Sequence, residues 1–435
     1  MERSEVDRVV EPAESGPGGH TTAERPARAL GGYLVAACLV RFADEGSRVA
    51  LVLLAVQRTG SAGTGGILIA ALLVPHVVAA PAVGLLVDRA RQPRWVLAVA
   101  ASGFAAALAV AGVGVGRVPL PVVLGVLVAG GCCGPALTGA LTSQLSGLVP
   151  AESLPRAFGL DSLTYNIAGI AGPALAGVLA AGFGAGVATS ALSASAGVGT
   201  LALAALPVGG HGPGPAPAAA TPLTAGVLAV VRDRVLVVVT GASSAGQLGT
   251  GALPVVAAVL ATRAHSPAHT GVLLTAVAAG ALVGSLAWTL RPPPSARAPL
   301  VVMVSLIGIG VPLAVAAAST SLAFITVLFA VSGLSTGPFT GALFTARQDR
   351  APEQLRAQVF TIAAGLKTTT AAAGAGLAGA LAQTATATQL LLAAACPLLA
   401  GSLGLLLLRR PQGHLLRPGS TRLPRTGGAH REVER

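Results

Sequence analysis

Apolar runs long enough to cross a lipid bilayer follow one another along almost the whole of this 435-residue chain. More than half of the residues are hydrophobic (53%) and only 10% are charged. A soluble protein of this length needs more charge to solvate its surface, so the surplus apolar surface must face lipid. The sequence therefore predicts an all-α membrane protein.

Twelve membrane spans are predicted, in two sets of six. The first set covers 30–56, 64–87, 95–116, 119–147, 157–182 and 185–207, and the second covers 227–261, 270–290, 299–318, 321–345, 358–383 and 387–408. We number the spans one to twelve in chain order. Spans four and seven are longer than a bilayer requires, so we expect cytoplasmic extensions or tilted helices there.

The spans divide the chain into five regions. Residues 1–28 are polar and lack the features of a signal peptide, which predicts a disordered cytoplasmic tail. An N-terminal six-helix half (29–208), a cytoplasmic linker rich in Pro, Gly and Ala (209–226) and a C-terminal six-helix half (227–408) follow. A basic cytoplasmic tail (409–435) completes the chain.

The predicted loops show a strong charge asymmetry. With the N-terminus inside, the cytoplasmic segments contain 22 of the 28 basic residues, among them Arg347 in the connection after span ten. The external loops contain three basic residues: Arg58, Arg117 and Arg263. This is the positive-inside rule, and with an even number of spans both termini lie in the cytoplasm. The net charge of +12 therefore reflects membrane orientation and does not indicate a nucleic-acid partner.

Residue usage indicates a source and places single residues. All but one of the basic residues are arginine, and Asn166 is the sole asparagine, which is typical of a high-GC bacterial genome. We therefore expect a bacterial cell membrane. Trp95 and Trp288 fall at predicted cytoplasmic interfaces, where aromatic belts form. The cysteines lie in apolar runs, which favours packing over disulfide or metal roles: Cys38, Cys132, Cys133 and Cys396.

The chain repeats itself at a distance of 202 residues. The letters TGAL occur at 138–141 and again at 340–343, and the same register pairs Gly172 with Gly374. Spans four and five therefore correspond to spans ten and eleven in the same orientation. Two parallel halves related in this way predict a transporter architecture with a site between the halves.

The loop between spans two and three reads GLLVDRARQP. It resembles the G-x-x-x-D-R-x-G-R-R loop of the major facilitator superfamily, since Gly84, Asp88 and Arg89 match while 91–93 depart from the Gly-Arg-Arg of the family. An aspartate at the end of span two can accept hydrogen bonds from the N-terminus of a neighbouring helix. The resemblance implies that these three residues form a cytoplasmic gate.

Span five carries a second resemblance to this family. The exporter motif G-x8-G-x3-G-P-x2-G-G aligns with Gly159, Ala168, Gly172, Pro173, Ala176 and Gly177. Two glycines have become alanine and the spacing is kept, and small residues allow helices to approach closely. The resemblance covers residues 30–408. It implies the major facilitator fold, alternating access, and export of a drug or metabolite in exchange for protons, without a cofactor.

Six charged residues lie inside the predicted spans, where charge is costly and marks functional candidates. Four of them share one face of span one: Arg41, Asp44, Glu45 and Arg48. The expected i,i+4 pairs are Arg41–Glu45 and Asp44–Arg48. This group lines the central cavity or, alternatively, is a self-neutralised ladder that lets the span insert. Asp161 in span five is predicted to contact substrate or to form a gate salt bridge.

Other polar residues complete the candidate site. Lys367 in span eleven is expected to face the cavity, where it binds an anionic group or balances an acid, unless it snorkels to the cytoplasmic surface. His76 in span two is either a hydrogen-bonded packing residue or part of a proton path. Asn166 and Gln247 are candidates for substrate contact.

Asp44 is the predicted proton-coupling residue. A coupling acid must exchange its proton as the cavity opens to either side, and the charges of span one around Asp44 set its proton affinity. Glu45 has the same chemistry and is the competing candidate, although it lies 100° further round the helix.

Signatures of other functions fail on context. The G-x-S-x-G pattern at 333–337 lies within span ten with no strand before it, and the sequence has no phosphate-binding lysine loop and no cluster of metal ligands. We therefore expect a monomeric transporter, not an enzyme, whose partners are a small-molecule substrate, protons and membrane lipid. The alternatives are an uptake symporter on the same fold and a membrane sensor or scaffold without transport.

Overall fold

The computed structural model describes residues 24–206, 222, 224–265, 269–381 and 383–409. Most of the predicted N-terminal tail, linker and basic C-terminal tail lies outside these described residues.

Ten described helices are long and apolar enough to cross a membrane. They are span two (Ala62–Arg89), three (Pro93–Gly114), four (Leu120–Gly147), five (Leu154–Phe183), six (Ala185–Ala204), seven (Arg234–Arg263), eight (His269–Leu290), nine (Ala298–Ala316), ten (Leu322–Arg350) and twelve (Thr386–Arg409). Span one (Glu24–Thr59) and span eleven (Arg356–Ala380) complete the predicted twelve. Both are more polar, because span one carries four central charges and span eleven carries Lys367 and three threonines. The predicted all-α fold is confirmed.

Helix geometry changes within the spans that the sequence predicts to be too long. The predicted start of span seven is a separate short helix, Ala225–Arg232, and the span itself begins only at Arg234. Asp233 separates the two helices, and its side chain caps the second by accepting a hydrogen bond from the Leu236 amide at 2.8 Å. Span four contains a π-helical turn at Ala136–Ala140 and a 3-10 turn at Gln144–Gly147.

The two halves use one packing scheme. In the N-terminal half, span one packs on spans five and six, span two on four, and span three on six. In the C-terminal half, span seven packs on eleven and twelve, span eight on ten, and span nine on twelve. Gly172 packs against Gly46 of span one, and Gly374 packs against Leu248 of span seven, so the contacted residues are also 202 positions apart. The predicted parallel repeat is therefore present in the helix contacts.

The halves meet through a limited set of helices. Span two packs against span eleven, and span five packs against spans eight and ten. Each half also has its own cluster of buried apolar side chains. We refer to the end of the bundle where spans two, eight and ten finish as the basic end, because it carries a set of arginines: Arg89, Arg91, Arg94, Arg156, Arg291, Arg297, Arg350 and Arg356.

A single methyl group added to span five tests this packing. A Cβ at Gly172 would lie 2.8 Å from the Phe42 carbonyl oxygen, whereas a Cβ at Gly177 would meet nothing within 4 Å. Gly172→Ala should therefore lower the free energy of unfolding by about 1–3 kcal/mol through overpacking. Gly177→Ala is the matched control and should leave it unchanged. Thermal unfolding of the purified variants in detergent makes the comparison, and equal stability of the two would contradict the helix contact.

Candidate functional site

The deepest charged group lies inside the N-terminal half and joins spans one, four and five. Arg41 Nη1 contacts Asp161 Oδ1 at 2.6 Å, and both side chains are almost completely buried. Asp161 also accepts hydrogen bonds from the Tyr33 hydroxyl at 2.7 Å and from the Thr142 hydroxyl at 2.9 Å. The Arg41 guanidinium stacks on the Tyr165 ring, 3.6 Å from its centroid. Each carboxylate oxygen is thereby satisfied by donors from its own half.

This arrangement corrects one predicted pair. Arg41 does not pair with Glu45 but with Asp161 on the neighbouring span. Span five packs directly on span one and brings the Asp161 carboxylate and the Thr164 hydroxyl to Arg41, and span four adds the Thr142 hydroxyl. Nε of Arg41 has no hydrogen-bond partner among the described residues. In this conformation Asp161 lies within one half, at neither the cavity wall nor the contact between the halves.

A second acidic group lies on span one, toward the space between the halves. Asp44 Oδ2 is 3.1 Å from Arg48 Nη2, which is the predicted i,i+4 pair, and Glu45 Oε2 is 2.8 Å from Arg48 Nη1. The Asp44 side chain is 6% exposed, and those of Glu45 and Arg48 are 28% and 34% exposed. Two carboxylates therefore share one guanidinium.

His76 is buried beside this group. Its ring packs directly on Gly134 of span four, and its Nε2 has no hydrogen-bond partner among the described residues. Asp44 and Arg48 lie within electrostatic range of the ring. His76 is therefore a packing residue against span four and also a neighbour of the charged group on span one.

A cavity of about 250 Å³ opens among spans seven to eleven of the C-terminal half. Lys367 and Gln247 are part of its wall, together with Thr250, and most of the remaining wall is apolar. Asn166 lies elsewhere: its side-chain amide donates to the Ser285 hydroxyl at 2.8 Å, across the contact between spans five and eight. Of the two predicted substrate contacts, Gln247 therefore lines this cavity and Asn166 joins the halves.

Arg347 is a buried cation, although the sequence predicts it to lie in the cytoplasmic connection after span ten. It lies in the last turn of span ten and is 2% exposed. Its Nη2 donates to the Ser243 hydroxyl at 3.2 Å, and its Nε has no partner. The 202-residue register carried the missing signal, because it pairs position 347 with Leu145, inside predicted span four.

Two of the three predicted gate residues, Asp88 and Gly84, contact span eleven at the basic end. Asp88 Oδ1 and Oδ2 accept hydrogen bonds from the backbone amides of Ala357 and Gln358, each at 2.9 Å, in the first turn of span eleven. This confirms the expected contact with a neighbouring helix N-terminus. Gly84 lies so close to Gln358 that no side chain fits between them. Arg89 is the last residue of span two.

Aromatic side chains close the same end of the bundle. Phe158, Phe344 and Phe360, from spans five, ten and eleven, have ring centroids 5.9–6.3 Å apart. Trp288 was predicted in an interfacial belt, but it is buried and its indole nitrogen donates to the Pro155 carbonyl at 2.9 Å. Span five covers the end of span eight, so this tryptophan joins the two halves.

The exporter-motif residues of span five have three different surroundings. Gly159 packs on Trp288 and Thr289 of span eight, and Gly172 packs on span one. Pro173 lies inside the continuous helix, whereas Gly177 has no neighbour where a Cβ would be. Ala168 and Ala176, which replace glycines of the motif, are fully buried.

Two six-helix halves with a cavity and buried charges between their helices define the architecture of a membrane transporter. The family model of the Major Facilitator Superfamily matches residues 33–368, and this chain belongs to that family. Members of this family are membrane transporters and not enzymes, and the described helices are those of a multi-pass membrane protein.

Individual relatives agree with this assignment. The chain is 28% identical over 259 residues to an uncharacterized MFS-type transporter, y4rN, of Sinorhizobium fredii, and the match covers 59% of this chain and 61% of that protein. A bacterial homologue of the iron transporter ferroportin, in an outward-facing state, superposes with a TM-score of 0.69 at 16% identity, over 88% of this chain and all of that one. The proton:xylose symporter XylE superposes with a TM-score of 0.67 at 13% identity, over 88% of this chain and 96% of that one. At these identities the two structures are similar in fold.

Removing one member of the buried Arg41–Asp161 pair should destabilise the protein. Asp161→Asn leaves the Arg41 charge without a counter-ion, and we expect a loss of about 3–5 kcal/mol of unfolding free energy. The double change Arg41→Leu with Asp161→Leu removes both charges and should recover most of that loss. Thermal unfolding in detergent measures both. A single variant as stable as the wild type would contradict a structural role for the pair.

The gate contact is tested with Asp88→Asn. The amide replaces one of the two accepting oxygens with a donor that faces a backbone N–H, so one hydrogen bond to span eleven is lost. We expect the basic end to open more often and a single cysteine introduced at Gln358 to react faster with a water-soluble maleimide. The control is the same cysteine with Asp349→Asn, an exposed carboxylate at the same end. Unchanged reactivity and transport in Asp88→Asn would exclude a gating role.

Proposed function

We propose that this chain exports a small organic molecule across the bacterial cytoplasmic membrane in exchange for protons, by alternating access. Both termini lie in the cytoplasm under this proposal, because the basic end then obeys the positive-inside rule. The halves are in contact at that end, which under this proposal is the closed cytoplasmic side.

The acid pair of span one carries the proton-coupling part of the proposal. Asp44 and Glu45 share Arg48, so the group keeps one negative charge when both acids are ionised. Net charge in a low-dielectric interior is costly, and Lys367 of the opposite half, which lies within electrostatic range of Glu45, offsets part of it. A single proton removes the negative charge, which gives the transporter one site whose charge depends on proton supply from the side to which the cavity is open.

Asp44 is our candidate for the acid that exchanges this proton. A coupling acid must be shielded from water in one conformation and exposed to water in another. Asp44 is shielded in this conformation, because it pairs with Arg48 and lies near the buried His76. Glu45 is more exposed and lies within electrostatic range of Lys367 on the opposite half. It is the alternative proton site.

Export is supported by the motif of span five. Its small residues at positions 168, 172 and 176 recur every four residues and are buried, and Gly172 contacts span one. Uptake on the same fold is the competing function, since the proton:xylose symporter has a similar fold. A sensor without transport is disfavoured by the cavity beside Lys367, because such a role needs no substrate chamber.

Vesicle transport separates coupling from substrate movement. Proteoliposomes with an imposed pH gradient are screened for a transported compound, whose direction of movement distinguishes export from uptake. Asp44→Asn should then keep substrate counterflow, which needs no net proton movement, and lose pH-driven accumulation. Glu45→Gln is measured beside it, and Glu152→Gln, an exposed acid at the basic end, is the control.

Each outcome has a distinct meaning. If Glu45→Gln alone loses pH-driven accumulation, the coupling acid is Glu45. If both variants remain fully pH-driven, the span-one charges are structural and the proposed coupling is wrong.

A further inference from the structure

The charges around the cavity do not balance within the C-terminal half. Lys367 lines the cavity, and Arg347 lies within electrostatic range of it. Among the described residues, neither side chain forms an ion pair with a carboxylate. Between positions 234 and 409 the sequence has two acids, Asp349 and Glu353, and both are exposed at the basic end. The nearby acid on the other half, Glu45, shares Arg48 with Asp44, so that group offers Lys367 one negative charge and leaves one positive charge of Lys367 and Arg347 uncompensated.

A row of polar side chains on span seven leads from Arg347 toward the cavity, and two of its hydroxyls have no hydrogen-bond partner. Successive members are spaced by three, one and three residues, so they share one side of the helix: Thr240, Ser243, Ser244 and Gln247. Ser243 accepts from Arg347, and Gln247 lines the cavity. The hydroxyls of Thr240 and Ser244 are buried without a hydrogen-bond partner, as is Nε of Arg347. Buried polar groups in folded proteins usually have hydrogen-bond partners, so these groups can still accept or donate to a ligand or to water that enters from the cavity.

The rest of the cavity wall sets the character of the ligand. It is formed mainly by apolar side chains, including Leu253, Val277 and Phe339. Its volume of about 250 Å³ is slightly below the usual range of small-molecule sites. We therefore expect one ligand with a compact apolar body against this wall and a single anionic group beside Lys367.

We propose that the substrate is a small organic anion with an apolar body, whose carboxylate or similar group binds Lys367 and is held further by the positive charge of Arg347. This inference rests on the proposed transport function and specifies its substrate class. An uncompensated buried cation destabilises the empty protein, and a bound anion supplies the missing counter-charge. A neutral molecule of the same shape leaves the surplus positive charge uncompensated and binds more weakly.

Equilibrium binding to the purified transporter tests the charge preference without any gradient. The probes are phenylbutyrate, phenylpropionate and naphthoate, the primary amide of each, and phenylbutylamine as a cation. The readout is ligand-induced thermal stabilisation in a neutral detergent. One charge-assisted contact is worth about 10- to 100-fold in affinity, so the preferred carboxylate should bind at least about tenfold more tightly than its amide.

Variants separate a ligand-binding charge from a structural one. Lys367→Gln should abolish the preference for carboxylate over amide, and Lys367→Arg should keep it. Because Lys367→Gln and Arg347→Gln each remove the one surplus positive charge of this cluster, both should raise the melting temperature of the unliganded protein. A structural role predicts the opposite change. Arg291→Gln removes an exposed arginine at the basic end and should alter neither readout.

The proposal is overturned if no carboxylate stabilises the wild type, if amide or amine binds as tightly as carboxylate, or if Lys367→Gln keeps the preference. Its failure is distinguishable from failure of the proposed function. Carboxylate binding without pH-driven movement in vesicles would reject the transport mechanism and leave the anion site in place. Transport driven by pH that is restricted to neutral or cationic compounds would reject the anion site and leave the mechanism in place.

Discussion

The cost of placing charge in a low-dielectric helix bundle governs the centre of this structure. Arg41 and Asp161 offset this cost by forming an ion pair inside one half, where hydroxyls from three spans surround them. The cost is offset only in part on span one, because the two carboxylates of Asp44 and Glu45 share the single guanidinium of Arg48 and one negative charge remains. Lys367 and Arg347 have no carboxylate partner among the described residues of their own half, so the cost of burying them is not offset there. Under the proposed function, the degree of neutralisation distinguishes charges that stabilise the fold from charges that are available to a proton or a substrate.

Hydrophobicity and the 202-residue register were sufficient to predict the twelve spans and the two parallel halves. A lipid environment makes apolar length a direct signal for helices, and Gly172 and Gly374 mark one packing position in both halves. The contact between Asp88 and the start of span eleven was also predictable, because a carboxylate at a helix end favours a neighbouring helix N-terminus.

Pairing across spans was not predictable from spacing along one helix. Spacing on span one gave Asp44–Arg48 correctly, but the partner of Arg41 depends on how close span five approaches, and a tertiary contact decides that distance. Trp288 and Arg347 were misplaced for a related reason. A span end that is covered by another helix has the same sequence as one that faces water, so burial of these two side chains depends on spans five and seven.

The kinds of contact within and between the halves fit rocking of two rigid bodies. The strongest buried ion pair, Arg41–Asp161, lies wholly inside the N-terminal half and is not broken when the halves separate. The basic end is closed by aromatic packing, by close approach at Gly84 and by carboxylate contacts of Asp88 with backbone amides. Water can replace the Asp88 contacts when that end opens, so separation leaves no buried charge unpaired. Glu45 and Lys367 lie within electrostatic range of each other across the halves, and protonation of the Asp44–Glu45 group or binding of an anion at Lys367 would weaken the attraction between the halves. Proton and substrate would then act on the same contact between the rigid bodies, which is a direct physical route for coupling them.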